Sequence, residues 1–181
     1  MRTSTTLATL PLLLLGCGLL TFEVESSAAT SIEGAGVLGE LLEALSFSGF
    51  SDFNVDVQSA MADQGVAEGD LSEVRVTSFT LTSTPGDMSF IESFAVYISA
   101  PGVDEALVAS SSTFPTGETV VTLDIATLDL TPYVVSDTSA FRIVADGTAP
   151  EDDTEIVADF VISVTATAKG ACRQLEDDES E

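Results

Sequence analysis

Residues 155–168 constrain the fold more than any other stretch of this chain. Ile156, Ala158, Phe160, Ile162, Val164 and Ala166 point one way, and Val157, Asp159, Val161, Ser163, Thr165 and Thr167 the other. A period of two held this long is incompatible with a helix, whose apolar stripe recurs at three and four, and specifies a strand with one buried face. As the longest such run, it is the expected central strand. The same period returns along the chain. Phe53, Val55 and Val57 alternate with Asn54 and Asp56, and Phe94, Val96 and Ile98 alternate with Ala95, Tyr97 and Ser99 before Pro101-Gly102 ends the strand. Residues 119–125 place Val121, Leu123 and Ile125 on one face, and residues 140–146 do the same with Phe141, Ile143 and Ala145. Shorter strands are expected at 21–25 and 106–110.

Residues 74–82 change face partway. Val74 and Val76 share one side, Phe79 and Leu81 the other, which calls for a bulge near Thr77-Ser78. Thr84-Pro85-Gly86-Asp87 reads as the turn that follows. Helical signals are few. Leu38, Leu41, Leu42 and Leu45 form a short amphipathic stripe within residues 37–45, placed at an open end of the fold. Single helical turns are expected at 59–65, 89–93 and 128–134. About eight strands with turn signals at short intervals, and no alternating long helices, predict an all-β protein: an antiparallel, immunoglobulin-like β-sandwich with one or two short capping helices. Phe53, Phe79, Phe94, Phe141 and Phe160 fall on apolar faces and are assigned to its core. Tyr97 falls on a polar face, and Tyr133, after Pro132 at a turn, is expected to pin a loop through its hydroxyl.

The N-terminus follows a different logic. Residues 7–15 are nearly all apolar, preceded by a polar stretch carrying only Arg2, and followed by Gly16-Cys17. That is the order of an export signal. A permanent span needs about 20 apolar residues, and acidic residues begin here at Glu23 and Glu25. Two processing routes stay open. In one, residues 1–16 are a lipoprotein signal peptide cut between Gly16 and Cys17, and the Cys17 thiol carries the lipid. In the other, cleavage near Ser26-Ser27-Ala28-Ala29 releases a secreted or periplasmic protein. On the first route a single domain covers 17–175, starting almost at the lipidated cysteine, and Glu176-Asp177-Asp178-Glu179-Ser180-Glu181 is an acidic, disordered tail. Lipidation through sulfur leaves Cys172 without an intramolecular partner, so the domain is held by its core rather than by a disulfide.

Charge limits the partners. Thirty acidic residues, all beyond Cys17, face four basic ones there, Arg75, Arg142, Lys169 and Arg173, and the whole chain has a formal net charge of −25. Nucleic acid is excluded as a partner for such a surface, and anionic head groups are disfavoured. The balance fits a protein of saline surroundings, where a Debye length of about 8 Å or less relieves self-repulsion, and equally an acidic soluble protein.

With these segments in place, the chain resembles uncharacterised envelope lipoproteins of delta-proteobacterial and myxobacterial type. The resemblance rests on residues 17–25, on the helix preceding Phe53-Asn54-Val55-Asp56-Val57, on residues 88–100, and on Leu128-Asp129-Leu130-Thr131-Pro132-Tyr133 before the strand at Phe141. It implies an Ig-like sandwich anchored in the envelope and supplies no activity. Gly18, rather than an aspartate after the cysteine, is similar to Gram-negative sorting to the outer membrane.

The chemical inventory is thin. The chain has no histidine, which removes His-based triads, His metal ligands and the ordinary acid/base shuttle near neutral pH. Lys169 reads as a surface charge at the end of the longest strand. No carboxylate is singled out by an apolar setting that would raise its pKa. Glu151, Asp152, Asp153 and Glu155 place four carboxylates on one loop at a sandwich end, the oxygen-donor chemistry of Ca²⁺, without the spaced D-x-D-x-D-G pattern; a solvated acidic turn is the competing reading. The sequence therefore predicts a non-enzymatic, lipid-anchored envelope protein, bound to the membrane through its lipid and offering an acidic sandwich to a protein partner, with no cofactor. The alternative is a module binding Ca²⁺ or carbohydrate at the sandwich-end loops.

Overall fold

A computed structural model of the chain describes residues 20–35, 57–136 and 138–167. Their order is β1 (Leu20–Ile32), α1 (Val57–Asp63), a 3-10 turn (Glu68–Asp70), β2 (Leu71–Thr84), β3 (Ile91–Ala100), β4 (Val103–Ser111), β5 (Val120–Thr122), β6 (Asp124–Ile125), α2 (Thr131–Val134), β7 (Ala140–Gly147) and β8 (Thr154–Ala166). The strands pair antiparallel into two four-stranded sheets, β1-β8-β2-β5 and β6-β4-β3-β7, and the chain is an all-β sandwich. The last strand lies beside β2, whereas the final strand of a constant-type immunoglobulin domain lies beside the penultimate one.

The long alternating run is central, as its period requires. β8 pairs with β1 from Leu20↔Ala166 to Ile32↔Thr154 and with β2 on its other side. Its inward set Ile156, Ala158, Phe160, Ile162 and Val164 is buried, and Phe160 stacks on Phe79 with ring centroids 5.7 Å apart. Offset aromatic pairs of this kind add to plain area burial. The face change in β2 is a bulge: the register with β8 shifts between Val76 and Ser78, so Val74 and Val76 before it and Phe79 and Leu81 after it all point inward.

Four sequence expectations change. The early strand runs to Ile32 rather than stopping at Glu25, because Ser26, Ala28 and Thr30 keep the inward phase opposite Phe160, Ala158 and Ile156 even though they are not strongly apolar. The strand expected over 119–125 divides at Leu123, whose N–H donates to Phe79 O at 2.9 Å, while Ala126 N–H donates to Val108 O at 2.9 Å. The chain thus crosses from one sheet to the other and closes that side of the sandwich. Val57, expected at the end of a strand, opens α1; Phe53, Asn54, Val55 and Asp56 lie outside the described residues, as does the amphipathic stretch 37–45. α1 itself answers the turn expected at 59–65. It ends in a Schellman arrangement, with Gly65 at φ +62°, Val66 N–H bonded to Met61 O at 2.8 Å and Gly65 N–H to Ala62 O at 3.0 Å. At 89–93 there is only a turn, closed by Ile91 N–H to Met88 O at 2.9 Å, before β3 begins.

The register sorts the connections to two ends. Leu20, Leu71 and Ala166 meet at one, which carries the 101–102 turn and residues 126–136. Ile32, Thr84 and Thr154 meet at the other, which carries loops 85–90, 112–119 and 148–153. The first end is sealed. Leu130, 1 % exposed, donates its N–H to Val74 O at 2.7 Å, and buried Tyr133 donates its hydroxyl to Asp104 O at 2.8 Å, the pinning role its position implied.

Candidate functional site

The loop end carries a cleft built between two loops. Its first wall is the turn read from Thr84-Pro85-Gly86-Asp87. Gly86 sits at φ +83°, a conformation that favours glycine, and Ser83 Oγ donates to Gly86 O at 2.6 Å. Asp87 then ties the turn together. Oδ1 accepts Ser89 Oγ–H at 2.6 Å and Ser89 N–H at 3.1 Å, and Oδ2 accepts Gly117 N–H from loop 112–119 at 2.5 Å. The Ser89 hydroxyl, then the Gly117 and Ser89 amides, hold this carboxyl below the usual aspartate range.

Loop 148–153 forms the second wall. Thr148 N–H reaches Phe90 O at 2.8 Å and joins the two walls directly, while Thr154 Oγ1 donates to Asp152 O at 2.9 Å. The chain leaving β1 braces it from behind: Gly34 N–H donates to Asp153 Oδ1 at 2.9 Å and Ala35 N–H to Pro150 O at 2.8 Å. The approach is so close that a Cβ on Gly34 would stand 2.6 Å from Asp152 C and 2.8 Å from Glu151 O. Between the walls lies a cleft of about 550 Å³, lined by Pro85, Asp87, Phe90, Pro150, Glu151 and Asp152 among others.

The four carboxylates singled out as calcium ligands are spread over this end rather than gathered. Glu151 and Asp152 are exposed beside the cleft, Asp153 is engaged by the Gly34 amide, and Glu155 lies on β8 in register with Ser31 and Thr84. Among the described residues, no three His, Cys, Asp or Glu side chains come together as a metal site. Gly16, Cys17 and Cys172 lie outside the described residues, as does the acidic tail. No described helix is long and apolar enough to cross a membrane.

The described basic side chains, Arg75 and Arg142, are both held elsewhere. Arg75 pairs with Glu73 on the outer face of β2. Arg142 on β7 spans β3 to reach β4, with Nε 2.9 Å from Glu105 Oε2 and Nη2 2.5 Å from Oε1, and its guanidinium lies 4.5 Å from the Tyr97 ring centroid. The Arg142 bond holds the Glu105 carboxyl below its usual range. This three-strand clasp escaped sequence reading because only the register brings 97, 105 and 142 together. Asp87 carried a local signal, an aspartate two residues before a serine in a turn, which is an Asx-type pattern. A second, shallower trough of about 390 Å³ crosses the outer face of the first sheet at the β2 bulge, between Glu25, Ser27, Ser78, Thr80 and Asp159.

Compared with known proteins, the chain matches no protein-family model and no curated protein.

Proposed function

We propose that the chain is a non-catalytic envelope protein, anchored through lipid on Cys17 and presenting its acidic sandwich as an interaction surface. The observation that carries this reading is the extent of β1. It starts at Leu20, three positions after Cys17, and pairs with β8 without interruption to Ile32. A cut between Gly16 and Cys17 leaves that strand whole. A cut near Ala29 removes residues 20–29 and strips β8 of its partner from Ala166 to Val157, leaving a long bare edge of the kind folded proteins avoid. The absence of histidine supports a role without a His-based acid/base shuttle near neutral pH.

Anchorage at Cys17 also sets an orientation. β1 rises about 3.3 Å per residue, so its thirteen residues carry the loop end roughly 40 Å from the anchored end. By resemblance of Gly18 to Gram-negative sorting, the membrane is the outer one. The experiment is fractionation of the full-length chain and its Cys17→Ser variant in a Gram-negative host. The wild type should pellet with membranes and the variant should move to the soluble fraction; an unchanged membrane pool would overturn the anchor.

A further inference from the structure

We infer that the cleft between loops 85–90 and 148–153 is a docking site for an extended cationic peptide segment of a protein partner, with basic side chains alternating with apolar ones. The inference deepens the interaction-surface reading above and rests on it only for the direction in which the cleft faces. Its volume of about 550 Å³ falls in the range of ligand clefts, roughly 300–1,000 Å³. Its lining has two chemistries. Pro85, Phe90, Ala149 and Pro150 supply an apolar wall, and Asp87, Glu151 and Asp152 supply carboxylates. An apolar wall edged with acids suits a chain that places an aliphatic stem against the wall and a charge at the rim, which is how lysine and arginine side chains divide.

The field of the whole molecule selects the same partner. Glu118, Glu151, Asp152, Asp153 and Glu155 are all exposed at this end, with Asp87 fixed in its carboxylate form by three hydrogen bonds. Arg75 and Arg142, the basic residues among those described, lie toward the other end and are committed to Glu73 and Glu105. A concentration of one sign around a concave site raises the local concentration of oppositely charged partners and speeds their arrival. The walls are also formed in advance. The Thr148–Phe90, Gly34–Asp153 and Asp87–Gly117 bonds fix both loops, so little ordering is left for the partner to bring about.

The test separates a shaped site from general attraction to an acidic protein. Binding of a fluorescently labelled Lys-Leu-Lys-Leu-Lys peptide is followed by polarisation at 150 mM NaCl, using the full chain as the acylated protein in detergent and as the Cys17→Ser form. Two variants of equal charge are compared with it: Glu151→Gln with Asp152→Asn at the cleft, and Glu23→Gln with Asp104→Asn, distant from the cleft. Loss of two charge-assisted contacts should weaken binding about tenfold or more in the cleft variant, with less than about a twofold change in the distant one. Equal weakening in both variants, or no saturable binding by the wild type, would overturn the cleft assignment. Because the readout is the same with and without lipid, failure of the anchor and failure of the cleft give different results.

Discussion

The two ends of the sandwich solve the same problem in opposite ways. At the end where Leu20, Leu71 and Ala166 meet, residues 128–136 fold inward: Leu130 and Tyr133 are buried, and Asp129 gathers Thr131 Oγ–H at 2.6 Å, Thr131 N–H at 3.0 Å and Val74 N–H at 3.4 Å. At the other end the loops bond to one another across their backbones and leave a cleft between them. One end closes with side chains, the other stays open on a hydrogen-bonded frame. Buried apolar side chains plug the first end, whereas the second keeps a cleft edged by carboxylates.

The contrast can be broken most severely at the plug. Leu130→Ala should lower stability by about 2–5 kcal/mol, read as a fall in the urea midpoint at constant slope; a loss of about 0.5 kcal/mol or less, the range of surface sites, would mean that the end is not sealed. Gly34→Ala probes the frame at the other end. Its methyl group meets backbone rather than a flexible side chain, so the expected cost is about 1–3 kcal/mol, and an unchanged thermal midpoint would show that the brace behind loop 148–153 is slack. Tyr133→Phe removes only the hydroxyl contact to Asp104 O and should cost about 0.5–1.5 kcal/mol, measurable by the same unfolding curves.

The smallest effect is one of pH. Partial burial pushes the Asp129 carboxyl upward, but the Thr131 hydroxyl and amide, the Val74 amide and the Arg75 charge outweigh it and hold the group below its ordinary value. A carboxyl lowered in the folded state contributes stability that is complete above its unfolded value, near 3.9, and is lost as pH falls through the lower folded value. Asp87 behaves in the same sense. Thermal midpoints should therefore fall below about pH 4, with Asp129→Asn reducing that fall; an identical acid profile for the variant would remove Asp129 from the account. In the opposite direction, screening of thirty carboxylates should raise the midpoint with NaCl. A flat salt response would count against adaptation to saline surroundings.

Much of the fold was legible because period two is a property of the chain itself. β8 declares its buried face, β2 announces its bulge by a change of phase, and Pro101-Gly102 marks a hairpin whose Gly102 sits at φ +77°. The missed elements are those that pairing, not composition, decides. Ser26-Ser27-Ala28-Ala29 continues a strand only because β8 offers thirteen partners, and Leu123 looks like mid-strand until the sheets it bridges are seen. The loop end was legible as an acidic loop at 151–155. Its cleft was not, since Pro85 and Phe90 reach it from more than sixty positions away along the chain.

We propose that the chain is held at Cys17, with β1 intact and the loop end directed away from the membrane. The intact mass and N-terminal sequence of the protein extracted from membranes test it most directly. A mature chain beginning at an acylated Cys17 is the expected result; an unmodified N-terminus near Ala29 would contradict the anchorage.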